Sequence, residues 1–131
     1  MRIILASHYG AWQRFKMTRY RICSENDIPS GSMKPGQAGK ETVVVFHLED
    51  GFYATQNQCT HLFASLHKGK LVAGHQVECP HHRTRFDIRT GEVVCWANHP
   101  PGVQLLNILR AKKALKTYPV IVEAGQVFVD A

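Results

Sequence analysis

The strongest pattern in the chain is an unbroken apolar run, Val43-Val44-Val45-Phe46, inside the stretch Glu41 to Leu48. A short apolar run bounded by turn residues predicts a strand, and Glu49-Asp50-Gly51 predicts the hairpin turn that brings Phe52-Tyr53-Ala54-Thr55 back as its partner. Upstream, Thr18 to Cys23 predicts a first strand and Ser24 to Pro29 a change of direction. Ser30-Gly31-Ser32, Pro35-Gly36 and Gly39 together predict a loop. At the other extremity, Leu115 to Val122 and Gln126 to Val129 predict a hairpin through Ala124-Gly125, completing the sheet begun by Thr18 to Leu48. Short strands broken by turns throughout predict an all-β fold, a small antiparallel sandwich or barrel.

The middle of the chain reads differently. His75 to Cys79 and Arg85 to Ile88 predict a short antiparallel pair, and Glu92 to Trp96 a further strand after Thr90-Gly91. In Val103 to Ala114, Leu105, Leu106, Leu109 and Ala114 set against Arg110, Lys112 and Lys113 predict an amphipathic helical turn. It either caps the barrel or docks a partner. Residues 1–16 read as an N-terminal extension, because Met17-Thr18-Arg19-Tyr20 resembles a natural start leading into a strand. A mis-set start codon, a flexible arm and a short helix docking Trp12 and Phe15 all fit it. The domain proper is then 17–131.

Composition adds limits. With 131 residues, 44% of them hydrophobic, the chain suits one small folded domain. No run reaches the length of a membrane span. Ile3-Ile4-Leu5-Ala6 is followed too soon by His8, Gln13 and Arg14 for a signal-peptide core, which predicts a cytoplasmic protein without membrane association. The formal charge is +6 and the pI about 9.4. Positive residues gather at Arg83, Arg85 and Arg89 and again at Arg110, Lys112, Lys113 and Lys116, as an acidic partner's docking face or as solvated surface. Aromatic residues do not interleave with them as a nucleic-acid platform requires.

The candidate chemistry lies in two short segments, Cys59-Thr60-His61 and Cys79-Pro80-His81-His82. Each offers one thiolate and one imidazole, whereas a structural zinc finger usually presents its cysteines as one pair and its histidines as another. If the two knuckles face each other, Cys59 and Cys79 can converge on one metal while His61 and His82 converge on a second. That fits a two-iron cluster with unequal ends. A mononuclear zinc site from the same four residues, or no metal at all, is also compatible with the residue types.

Leu66, Gly69, Leu71, Gly74 and Val77 lead into Cys79-Pro80, and Phe86 with Thr90-Gly91 follows. Together with the knuckles, these positions resemble the small Rieske ferredoxins, from Thr18 to Asp130. The resemblance implies a Rieske-type sandwich with an inserted cluster-binding subdomain over about 56–102, covered by a proline loop at Pro100-Pro101-Gly102. It implies one [2Fe-2S] cluster held by Cys59, His61, Cys79 and His82, with His81 a bystander. It further implies an electron carrier, not itself a catalyst, taking electrons from a flavin-dependent or iron-sulfur reductase. The acceptor would be a terminal, aromatic-ring-hydroxylating oxygenase, and the carrier most simply a monomer. A small Rieske-like subunit of a reductase such as assimilatory nitrite reductase is the alternative.

Exchanging two thiolates for two neutral imidazoles raises the potential, and Rieske centres span roughly −150 to +300 mV. High-potential relatives bridge their ligand loops with a disulfide, at positions that here are Ala64 and His81. They also bond cluster sulfurs through a serine and a tyrosine, where this chain has Thr84 and Phe86. These differences predict a potential near the low end, about −150 mV. His61 and His82 are expected at the protein tip as the electron exit, with a potential that falls at alkaline pH. Cys23 and Cys95 are expected to be ordinary strand residues, and the histidines His8, His47, His67, His75, His81 and His99 structural or surface residues. Three departures from the family pattern stand out: Arg83 where glycine is usual, the bulky Phe63 beside the first knuckle, and the length of Val103 to Ala114 between the proline loop and the final hairpin.

Overall fold

The computed structural model describes residues 2–3 (backbone only), 17–60, 64–80, 83–95 and 113–131. Their strands are β1 (Arg2–Ile3), β2 (Arg19–Ser24), β3 (Ser32–Ala38), β4 (Glu41–Leu48), β5 (Gly51–Gln56) and β6 (Lys70–Val72). The series continues with β7 (Gln76–Glu78), β8 (Arg85–Asp87), β9 (Val93–Cys95), β10 (Thr117–Tyr118), β11 (Val120–Glu123) and β12 (Gln126–Asp130). They form three four-stranded sheets in the orders β1-β11-β12-β2, β10-β5-β4-β3 and β6-β7-β8-β9, with every pair antiparallel. The all-β sandwich expected from the sequence is the architecture observed. Among the described residues, no helix is long and apolar enough to cross a membrane.

The apolar run in β4 has a physical cause. Val43 and Val45 point into a core shared with Phe52, Ala54, Val120, Val127 and Val129, which fills the space between the first two sheets. Val44, Phe46 and Leu48 point the other way, into a second core with Leu66, Val77, Phe86 and Ile88 of the third sheet and its approaches. A strand buried on both faces loses the usual apolar-polar alternation. Each such side chain contributes about 1.5–3 kcal/mol by leaving water.

Three sequence expectations need correction. The stretch around Pro35-Gly36 is not a loop: it lies in β3, paired with β4 from Ser32↔His47 to Ala38↔Glu41. Because β3 is an edge strand, the missing proline N–H costs no ladder bond on its open side. Gly36 is required for packing, since a Cβ there would stand 2.6 Å from Ile22 Cγ2 on β2. Second, Leu115 to Val122 is not one strand. The chain breaks at Pro119, with β10 paired to β5 and β11 paired to β12, while the Pro119 carbonyl accepts the Asp130 N–H at 3.1 Å. Third, the closing hairpin therefore does not complete one sheet with Glu41 to Leu48. It joins β2 in a separate sheet that packs across the core. The hairpin turn itself is where the sequence puts it, Ala124 and Gly125 both having positive φ (51° and 76°), as a two-residue hairpin turn requires.

The strand expected over Thr18 to Cys23 is β2, shifted by one residue to Arg19–Ser24. Within residues 1–16, the backbone of β1 pairs with Val122 and Ile121.

Candidate metal centre

Two loops of equal size carry the cysteines. β5 ends at Gln56, three residues short of Cys59. Gln58 bridges to Ser65, and the Cys59 N–H donates to the Ala64 carbonyl at 2.7 Å. In the second loop Glu78 of β7 pairs with Arg85 of β8, and the Cys79 N–H donates to the Thr84 carbonyl at 2.8 Å. Each cysteine thus closes its loop on the residue five positions later. Both are buried, at 0% and 3% exposure, in the same core as Leu66, Val77 and Phe86. A thiolate among apolar side chains is stable only with a compensating positive partner, which a metal supplies.

His61 and His82 lie outside the described residues, so the structure places the two cysteines of the expected ligand set and leaves the two histidines unplaced. Phe63, His81, Trp96, Pro100-Pro101-Gly102 and the segment 103–112 also lie outside the described residues.

Thr84 supplies an independent test of fit. It is fully buried, and its Oγ1 has no hydrogen-bond partner among the described residues. Leaving such a hydroxyl unpaired costs about 1–3 kcal/mol. It sits in the second loop, five residues past Cys79, and the sulfur-rich surface of an iron–sulfur cluster offers the acceptor it lacks. The two buried cysteines and this orphaned hydroxyl both fit the group that the sequence implies.

The sequence reading missed a charged row beside Cys79. Lys70, Glu78 and Arg85 stand opposite one another on β6, β7 and β8. The Glu78 carboxylate, only 7% exposed, receives Arg85 Nε at 3.0 Å and Lys70 Nζ at 3.5 Å. The charge alternation was visible in the sequence, but only the strand register makes these residues neighbours. Also missed was a tether between loop and C-terminal segment, Thr60 Oγ1 donating to the Lys113 carbonyl at 2.6 Å. Gln56 reinforces it, its N–H donating to the Lys116 carbonyl and its Oε1 accepting the Lys116 N–H.

Arg83 adopts a φ of 57°. The left-handed turn that glycine would take without strain is therefore kept, with an arginine in it. The three arginines grouped beside the second knuckle do not act alike. Arg85 is bound to Glu78, and Arg89 donates to Asp50 at 3.2 Å while lying 5.9 Å over the Tyr53 ring. Partial desolvation pulls the Asp50 carboxyl upward, but hydrogen bonds from Arg89 and Tyr53 outweigh it and hold the group below its ordinary value.

Three of the other histidines are described, and each has a local role. His47 stacks on Phe52 with Nδ1 2.7 Å from the Ile28 carbonyl, His67 contacts the Asn57 side chain, and His75 Nδ1 lies 2.9 Å from the Ala73 carbonyl. Cys23 and Cys95 are strand residues, as expected.

Comparison with known proteins agrees with this geometry. The biphenyl dioxygenase ferredoxin subunit of Pseudomonas sp. (strain KKS102) is 34% identical over 114 residues, covering 87% of this chain and 93% of that protein. The solved Sphingomonas yanoikuyae B1 ferredoxin superposes with a TM-score of 0.70 at 29% identity, covering 87% of this chain and 99% of the other. The ferredoxin of carbazole 1,9a-dioxygenase from Nocardioides aromaticivorans IC177 does so with a TM-score of 0.70 at 26% identity, covering 86% and 96%. Residues 18–119 match the family described as Rieske [2Fe-2S] domain, a span that holds both cysteine loops, and the chain belongs to that family.

Proposed function

We propose that this chain is the ferredoxin component of an oxygenase system. It carries single electrons from a flavin-dependent or iron-sulfur reductase to a terminal, aromatic-ring-hydroxylating oxygenase, and catalyses nothing by itself. The observation that carries the reading is the pair of matched loops, each presenting a buried cysteine closed onto the residue five positions on. In this reading Cys59 and Cys79 would hold one iron and His61 and His82 the other. When bound, the cluster accepts and releases one electron at a potential raised by its two neutral ligands.

The chain's own groups do the rest. Apolar neighbours keep water from the cysteines, the buried Thr84 hydroxyl would serve as a donor to the cluster's sulfur atoms, and the tether from Thr60 to Lys113 fixes the first loop. Matching relatives of nearly the same length are named as ferredoxin subunits of biphenyl and of 3-phenylpropionate/cinnamic acid dioxygenases. One solved neighbour, 29% identical, is a complex of reduced oxygenase with oxidized ferredoxin in carbazole 1,9a-dioxygenase. These support an oxygenase as acceptor. A monomeric, cytoplasmic shuttle is the simplest form for such a role.

The test is low-temperature electron paramagnetic resonance on dithionite-reduced, anaerobically purified protein. A rhombic spectrum of low average g is expected. A silent sample containing zinc would refute the reading. His81→Ala should keep the spectrum and His82→Ala should lose it, and the reverse would reassign the ligand.

A further inference from the structure

The described charges are segregated along the molecule. β5 runs from the Glu49-Asp50 hairpin toward Cys59, and six strand residues at about 3.3 Å each separate the two ends by about 20 Å. At the hairpin end, Glu49 and Asp50 share a cleft with Glu25, Asn26 and His47. The Glu25 N–H donates to the Gly125 carbonyl, which brings Glu123 and Asp27 to the same end. Arg89 reaches this group through Asp50.

The knuckle end has the opposite sign. Lys68 follows the first loop in the 3-10 turn Leu66–Lys68 and is exposed. Lys113 is exposed and its carbonyl is bound by Thr60, between the expected ligands of that loop. Arg83 is exposed within the second loop, and Lys70, 70% exposed, pairs with Glu78, the residue before Cys79. Of the acids described at that end, Glu78 is buried and already faces two cations, and the half-buried Glu41 at the start of β4 is outnumbered by the lysines and arginines.

We propose that the knuckle end is a docking surface for an acidic face on the protein's redox partners, with the acidic hairpin end turned away by repulsion. This rests on the electron-carrier reading and adds to it the chemistry of the partner. A net-positive tip on a molecule with a net-negative tail orients encounters as well as accelerating them, because field and torque act together. The cluster-bearing end then reaches the partner first.

The test uses the reduced, cluster-loaded protein in stopped flow with two small oxidants, anionic ferricyanide and cationic tris(phenanthroline)cobalt(III), across ionic strength. Lys68→Glu and Lys113→Glu are compared with Arg21→Glu, which makes the same change in net charge on exposed β2 of the base. Two charge units about 10 Å from a trivalent oxidant, screened over a Debye length, change the rate about fivefold at 0.1 M salt.

The expected result is ferricyanide oxidation slowed about fivefold in both lysine variants and cobalt-complex oxidation quickened, with Arg21→Glu close to wild type. Equal effects in all three variants would overturn the proposal, since net charge alone would then govern the rate. Wild-type protein lacking the rhombic spectrum would overturn the carrier reading instead, and the spectrum distinguishes the two failures.

Discussion

Thr84 offers the sharpest check on how the site is built. Thr84→Val keeps the shape and removes the hydroxyl, at a position with no solvent exposure and no partner for Oγ1 among the described residues. If the hydroxyl donates to a cluster sulfur, the bond strengthens on reduction, when the sulfurs gain negative charge. A hydrogen bond worth about 1 kcal/mol more in the reduced state corresponds to about 40 mV for one electron, since a tenfold change in equilibrium is 59 mV. Protein-film voltammetry should therefore find Thr84→Val about 40 mV below wild type and Thr84→Ser close to it. The opposite case is equally definite. A hydroxyl with no acceptor is a pure burial cost, so valine would leave the potential unchanged and raise thermal stability by about 1–3 kcal/mol. That pair of results would refute the assignment.

Other outcomes follow from single contacts. Arg83→Gly should relieve the left-handed backbone at φ 57°; part of the gain is offset by glycine's freedom in the unfolded chain, leaving less than about 1 kcal/mol and a small rise in Tm. A fall in Tm would show that the guanidinium makes a contact of its own. Gly69→Ala should lose the cluster readily, because a Cβ there would collide with the Glu78 backbone carbonyl beside Cys79. Iron content equal to wild type after purification would contradict this. Burial, and then the Asp27 carboxylate, push the Cys23 thiol up, so native protein at pH 8 should leave Cys23 unmodified by iodoacetamide. Rapid labelling there by mass spectrometry would show that β2 opens.

The sequence was most readable where residue type and neighbour coincide. The β4–β5 hairpin, the Ala124-Gly125 turn and the cysteine loops all depend on contacts a few residues apart, and each stands where the pattern predicts. Edge tolerance hid β3, because proline and glycine signal a loop unless the open side of a sheet is known. The split at Pro119 was equally hidden. Val120 and Tyr118 are both apolar in one continuous pattern, and only tertiary packing sends them to different sheets. The same limit concealed the Lys70–Glu78–Arg85 row, whose members meet across strands.

The double-faced strand β4 has a consequence for how the protein matures. Its front face is satisfied by the sandwich, whose β3-β4-β5 ladder forms from adjacent hairpins with short loops to close. Its back face, with Val44, Phe46 and Leu48, is then already the floor on which the cysteine loops must land. Iron delivery meets a prefabricated mould rather than a disordered chain, and assembly machinery has only the two loops to fill. Hydrogen exchange on metal-free protein should accordingly find the β4 amides slower to exchange than those of the two cysteine loops.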